Sequence, residues 1–141
     1  MEITIRFRGG VTILDLTGRF VVSSGEAEFL TLRSAIRKLI AERHIFVVLN
    51  LAGLTSIDAG GLGELVFTLM TLQRHGGELT LVAPTPTVRK LLSITKLDTV
   101  LPSGDSEIEA TRTIRGFVSS FGSGRVANDF NPARESTTLQ A

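Results

Sequence analysis

The sequence predicts an α/β domain: a mixed β-sheet of about five strands covered by about four helices. Three observations carry this. Ile45-Phe46-Val47-Val48-Leu49 is a continuous apolar run of strand length, the pattern of a strand buried on both faces. Two strand-like segments with a glycine pair between them precede it. After it, strand-like and helix-like segments alternate, which calls for parallel pairing with right-handed crossovers. The expected order is ββαβαβαβα, with the helices on one face of the sheet.

Ile3, Ile5 and Phe7 alternate with Thr4, Arg6 and Arg8, a period of two that defines the first strand. Gly9-Gly10 then supplies a turn, because glycine reaches positive φ without steric cost. Val11 to Leu16 is the second strand; Gly18 interrupts it, and Phe20-Val21-Val22 continues extended. Ser23 and Glu26 have capping-box spacing, which starts the first helix near Ser23 or Ser24. Phe29, Leu32, Ile36, Leu39 and Ile40 form its apolar stripe, and it should end near Arg43 or His44.

The third strand runs from Ile45 through Leu51, and Ala52 to Asp58 reads as a loop. A second helix is expected from Ala59-Gly60-Gly61 to about His75, with Leu62, Leu65, Val66, Leu69, Met70 and Gln73 setting its faces and Gly76-Gly77 stopping it. Leu79 to Val82 is a short strand. Thr85 is the N-cap and Pro86 the first residue of a third helix, with Val88, Leu91, Leu92 and Ile94 on its apolar side. Thr99-Val100-Leu101 reads as the last strand and Pro102-Ser103-Gly104 as a turn. Ser106 and Glu109 repeat the capping-box spacing, and Ile108, Thr111, Ile114 and Phe117 mark a fourth helix. The domain is therefore placed at residues 1–117. Residues 118–141 are rich in Ser, Gly, Asn and Thr and read as a flexible tail, in which Arg125, Asp129, Arg134 and Glu135 cancel in charge.

Composition excludes several functions. The 15 Lys and Arg against 14 Asp and Glu leave a net charge of +1, so no concentrated cationic surface for direct nucleic-acid binding is expected. Trp and Tyr are absent, which leaves only phenylalanine for base stacking. With no Cys and only His44 and His75, neither a thiol nucleophile nor a multi-ligand metal site is expected, and no cofactor. The longest purely apolar run is far short of the ~20 residues of a membrane helix, and no secretion signal opens the chain. The expectation is a cytoplasmic domain without membrane insertion and without catalytic apparatus.

The informative stretch is Asn50-Leu51-Ala52-Gly53-Leu54-Thr55-Ser56-Ile57-Asp58-Ala59-Gly60-Gly61-Leu62-Gly63-Glu64-Leu65, at a strand-to-helix junction. It resembles the signature of the STAS domain of bacterial anti-sigma factor antagonists, Asp-Ser-x-Gly-Leu-Gly at the start of the second helix. Gly18-Arg19-Phe20, Gly76 to Leu81, Leu91 to Leu97 and Glu107 to Ala110 resemble further family landmarks in the same order. The resemblance implies a STAS-like sheet and a non-enzymatic role: binding an anti-sigma factor, usually a serine kinase of the histidine-kinase-like ATPase family, and so releasing a sigma factor. It also implies a switch in which that kinase phosphorylates the hydroxyl residue after the motif aspartate. Here that position is Ala59, followed by two glycines. Alanine has no oxygen to accept a phosphate. The implied docking surface comprises Asp58, Ala59, Gly60, Gly61 and Leu62, with Arg19 and Phe20 from the neighbouring loop, and a weak homodimer is a further partner state.

Each of these residues also has a purely structural reading. Asp58 either contacts a partner or caps the helix. Gly60, Gly61 and Gly63 either admit a partner backbone or permit the tight turn. Ser56 is either a displaced phosphoacceptor or, like Thr55, a hydroxyl that satisfies loop backbone groups. His44 and His75 suit helix C-termini, and Arg33, Arg37 and Lys38 suit a solvated helix face. Glu107 and Glu109 lie on different faces of one helix and form no acid/base pair. The glycines lack phosphate-loop spacing, which leaves a nucleotide-binding enzyme as a weak alternative. A STAS subunit of a stress-signalling complex or lipid-transport ABC system is the other.

Overall fold

The computed structural model describes residues 1–21, 27–104, 106–114 and 136–140. The strands are β1 (Glu2–Arg8), β2 (Val11–Phe20), β3 (Phe46–Ile57), β4 (Glu78–Val82), β5 (Ser103–Gly104) and β6 (Ser136–Gln140). The helices are α1 (Ala27–Ala41), α2 (Ala59–Arg74), α3 (Pro86–Ile94) and α4 (residues 107–114), with a 3₁₀ turn at Leu97–Thr99. The expected capping box at Ser23 and Glu26, the side chain of Phe29, and Phe117 lie outside the described residues.

One mixed sheet runs in the order β5-β4-β3-β2-β1-β6. β1 and β2 form the expected antiparallel hairpin, Arg8 opposite Val11, with Gly9 and Gly10 both at positive φ. β2, β3, β4 and β5 are parallel, as their helical crossovers require. Side chains alternate across the sheet. Ile3, Ile5, Leu14, Leu16, Val47, Leu49, Leu79 and Leu81 point to one face, where Leu32, Ile36 and Leu39 of α1, Leu62, Leu65, Leu69 and Leu72 of α2, and Val88 and Leu92 of α3 cover them. Val11, Ile13, Phe46, Val48 and Val82 point to the other, where Ala110 and Ile114 of α4 close a smaller core. The apolar run at Ile45 to Leu49 is thus buried on both sides. The expectation that all helices share one face is corrected: α4 lies opposite the other three, because the even-numbered residues of β3 also need cover.

Other boundaries differ from the sequence reading for identifiable reasons. β3 does not stop at Leu51. It continues to Ile57 beside β2, through register shifts between Asp15 and Thr17 and between Gly18 and Arg19. Those irregularities erase the period of two that would have announced a strand. The expected strand at Thr99 to Leu101 is a 3₁₀ turn with its end, and the pairing falls on Ser103–Gly104. Ile94 and Ile108, expected on apolar faces, are exposed, while Ala110 is buried. Residues Ser136–Gln140, expected to belong to a tail without regular structure, pair antiparallel with β1 from Glu2↔Gln140 to Arg6↔Ser136 and add a sixth strand.

The helix ends follow the predicted chemistry more closely. Thr85 Oγ1 accepts from Val88 N (3.4 Å) with Pro86 opening α3. Ser106 Oγ accepts from Glu109 N (3.1 Å) at α4. Gly76 takes φ +83° after α2, and Gly77 N returns to Leu72 O (2.8 Å), a Schellman closure.

Candidate functional site

The site is built where β2 and β3 end together and α2 begins. Phe20 is paired with Ile57, the last residues of their strands. Asp58 N donates to Phe20 O (3.4 Å), and the chain turns directly into helix. Asp58 is extended (φ −104°, ψ −179°), and its Oδ1 accepts from Gly61 N at 2.8 Å. Its carbonyl accepts the first helical bond, from Leu62 N at 2.9 Å. This is N-cap geometry, with the carboxylate at the positive end of the helix dipole. The close approach requires Gly61: a Cβ there would stand 2.5 Å from Phe20 O and 2.7 Å from Ile57 Cγ1. Gly63 is under no such constraint, since a Cβ there meets nothing within 4 Å.

The residues of the expected docking surface divide by burial. Arg19, Ala59, Gly60 and Gly63 are exposed, and Asp58 and Ser56 are half-buried. Phe20 is fully buried, Leu62 nearly so, and Gly61 is enclosed. Phe20, Gly61 and Leu62 therefore form the floor that fixes the turn and present no side chain to a partner. Burying them is what holds the Ala59-Gly60 step at the surface. Arg19 Nε donates to Ser56 Oγ at 3.3 Å, and Thr55 Oγ1 donates to Gly18 O at 3.0 Å. Both hydroxyls thus tie the β2 and β3 ends together. Ala59 itself brings a methyl group and no side-chain oxygen to the helix start.

The two histidines are apart. His44 is buried with its ring centroid 4.7 Å from that of Phe7, and its backbone N–H donates to Leu39 O (2.7 Å) just past α1. His75 is exposed after α2, with Nδ1 3.0 Å from Thr71 O. Among the described residues no cluster of three His, Cys, Asp or Glu could hold a metal ion.

Two charged assemblies escaped the sequence reading. On the α4 face, Arg6 donates from Nε and Nη2 to Asp15 (2.6 and 2.9 Å) and from Nη1 and Nη2 to Glu107 (3.0 and 2.8 Å). Asn50 Nδ2 also donates to Asp15 Oδ1 (2.8 Å). Partial burial pushes the Asp15 carboxyl up, but the hydrogen bonds from Arg6 and Asn50 and the Arg6 charge outweigh it and hold the pKa below the ordinary value. The only sequence signal was that Arg6, Asp15 and Asn50 share the parity of that sheet face. On the opposite face, Arg33 of α1 makes a two-pronged bond to Glu64 of α2 (2.9 and 2.8 Å) while its guanidinium lies 4.2 Å from the Phe67 ring centre. Arg33 is therefore a bridge between helices rather than part of a solvated face.

The STAS domain profile matches residues 2–111. The chain belongs to the STAS domain family. An anti-sigma F factor antagonist of Paenibacillus polymyxa is 26% identical over 110 residues, covering 78% of this chain and 92% of that protein. The crystal structure of a candidate anti-sigma factor antagonist of Thermotoga maritima matches with TM-score 0.70 and 25% identity over 79% of this chain and 92% of the other. Bacillus SpoIIAA in its phosphorylated form shares the fold at TM-score 0.59 and 18% identity, covering 79% and 98%. The mixed sheet is thus the STAS sheet, and the antagonists of this family are regulatory binding proteins rather than enzymes. The match ends before β6, which this STAS domain adds beyond it. No helix among the described residues is long and apolar enough to cross a membrane.

Proposed function

We propose that this STAS domain is an anti-sigma factor antagonist of the cytoplasm. It docks an anti-sigma factor at the start of α2, through Arg19, Asp58, Ala59 and Gly60, and so frees a sigma factor. The partner is a serine kinase of the histidine-kinase-like ATPase family. The observation that carries this reading is the exposed Ala59-Gly60 step on a capped helix N-terminus, at the family's signature junction. A protein that works by docking needs no nucleophile, metal or cofactor, in keeping with a site made of backbone, one carboxylate and one guanidinium.

Phosphorylation at this junction would add about −2 charge and bulk to a surface that must be desolvated on docking. Ala59 cannot take that charge, so the protein stays competent to bind irrespective of kinase activity. The half-buried Ser56 is the nearest alternative acceptor, and its contact with Arg19 favours a structural role. Retrieval of partners from the source cells with this chain as bait tests the reading. Recovery of an anti-sigma factor kinase supports it; recovery of a permease and its ATPase supports membership of a transport assembly instead. With the kinase in hand, Ala59→Ser should gain phosphate at position 59 and lose affinity, whereas the natural chain should take up none there.

A further inference from the structure

A concave groove of about 270 Å³ lies between α1 and α2, on their outer side. Ile36, Ile40 and Phe67 supply apolar walls, and Arg33, Arg37 and His75 supply basic groups around them. Phe67 is 42% exposed on a helix that buries its leucines. Arg33 is committed to Glu64 and to the Phe67 face. The Arg37 side chain has neither a hydrogen bond nor an ion pair among the described residues. His75 Nδ1 lies 3.0 Å from the Thr71 carbonyl oxygen, which leaves the other ring nitrogen for a ligand. No acid is among the residues that line the groove, and of its cations only Arg33 is paired with a carboxylate among the described residues, that of Glu64, so the net charge of the lining is positive.

We propose that this groove binds a small amphiphilic carboxylate, a medium-chain acyl or aryl acid. Its apolar body would lie on Ile36, Ile40 and Phe67, and its carboxylate between Arg37 and His75. The volume sits just below the ~300–1,000 Å³ of typical ligand pockets, which selects a small ligand. It is too small for a peptide helix, which is about 10 Å across. A guanidinium prefers a carboxylate because its planar fork matches the two oxygens. The groove is formed by the outer sides of α1 and α2, away from the Ala59-Gly60 step, and its role does not depend on the antagonist reading.

Titration of the full chain with octanoate, followed by calorimetry and amide NMR shifts, tests the proposal, with octan-1-ol and octylammonium as matched probes. Octanoate should saturate, shifting Arg37, Phe67, Thr71 and His75, and should bind about tenfold or more tightly than octan-1-ol. Octylammonium should not bind. Arg37→Glu, on an exposed position, should lose octanoate binding while its circular dichroism and melting stay unchanged; Phe67→Ala should weaken octanoate and octan-1-ol alike. Equal binding of the three probes, or shifts confined to other surfaces, would overturn the proposal. So would an acidic helical peptide shifting the same residues when octanoate does not.

Discussion

Gly61 and Gly63 stand two residues apart and obey opposite constraints. A methyl group at Gly61 would collide with the Phe20 carbonyl and Ile57, so Gly61→Ala forces α2 off the end of β2. A methyl group at Gly63 meets nothing and would remove the entropic penalty of a helical glycine, about 0.5–1 kcal/mol. Urea unfolding should therefore show Gly61→Ala less stable by about 1–3 kcal/mol and Gly63→Ala more stable by about 0.5–1 kcal/mol. If Gly63→Ala also weakens partner binding without loss of stability, its openness serves close approach. Asp58→Ala removes the only side-chain cap seen on α2 and should cost about 0.5–2 kcal/mol in the same assay. At this scale the sequence was legible where a residue acts on its own chain neighbours. The caps at Thr85 and Ser106 follow from their chain neighbours, and capping was one of the two readings open for Asp58. The burial of Leu62 is legible from its helical spacing, but that Phe20 is floor rather than surface was not, because it depends on β2 and β3 ending side by side.

Among the elements, α4 is tied to the sheet by charge as well as by Ala110 and Ile114. Arg6, Asp15 and Glu107 link β1, β2 and α4, and Asp15 is held more acidic than usual chiefly by Arg6 and Asn50 against the cost of its burial. A carboxyl whose pKa is lower folded than unfolded gives stability that is full above its unfolded value, about 3.9, and fades as pH falls through the folded value. Denaturation curves between pH 7 and pH 2 should therefore show Asp15→Asn losing about 1–3 kcal/mol near neutrality and converging on the natural chain at the acid end. The side of the sheet that α4 covers was not legible, because its apolar pattern is short and includes the exposed Ile108, whereas Ala110 and Ile114 make the packing. β6 was illegible for a different reason. Ser136 to Gln140 is polar and short, and its only visible structural credential is the edge offered by β1. Removal of residues 136–141 should leave the melting of the core in place. It should also abolish hydrogen-exchange protection of the alternate β1 amides that point away from β2, the behaviour of a newly exposed edge.

For the whole molecule, the arrangement separates what holds the fold from what meets a partner. Both cores lie on the faces of the sheet, while Ala59 and Gly60 sit exposed where β2 and β3 end, supported from beneath by Phe20, Gly61 and Leu62. A negative charge at position 59 should therefore act in opposite directions on stability and on docking. On the isolated protein it meets the positive end of the α2 dipole, an interaction of about 0.3–1 kcal/mol in its favour. In a complex it must give up water beside Asp58, already an acid, with Arg19 the cation of the expected docking surface. Ala59→Glu should thus melt at or slightly above the temperature of the natural chain, yet bind the anti-sigma factor at least about tenfold more weakly, or ~1.4 kcal/mol. Ala59→Gln, similar in size but uncharged, should retain most of the affinity. Calorimetric melting and binding titrations of the three proteins separate the alternatives: equal losses for Glu and Gln would make the site one of shape, whereas unchanged affinity for both would place docking elsewhere on the molecule.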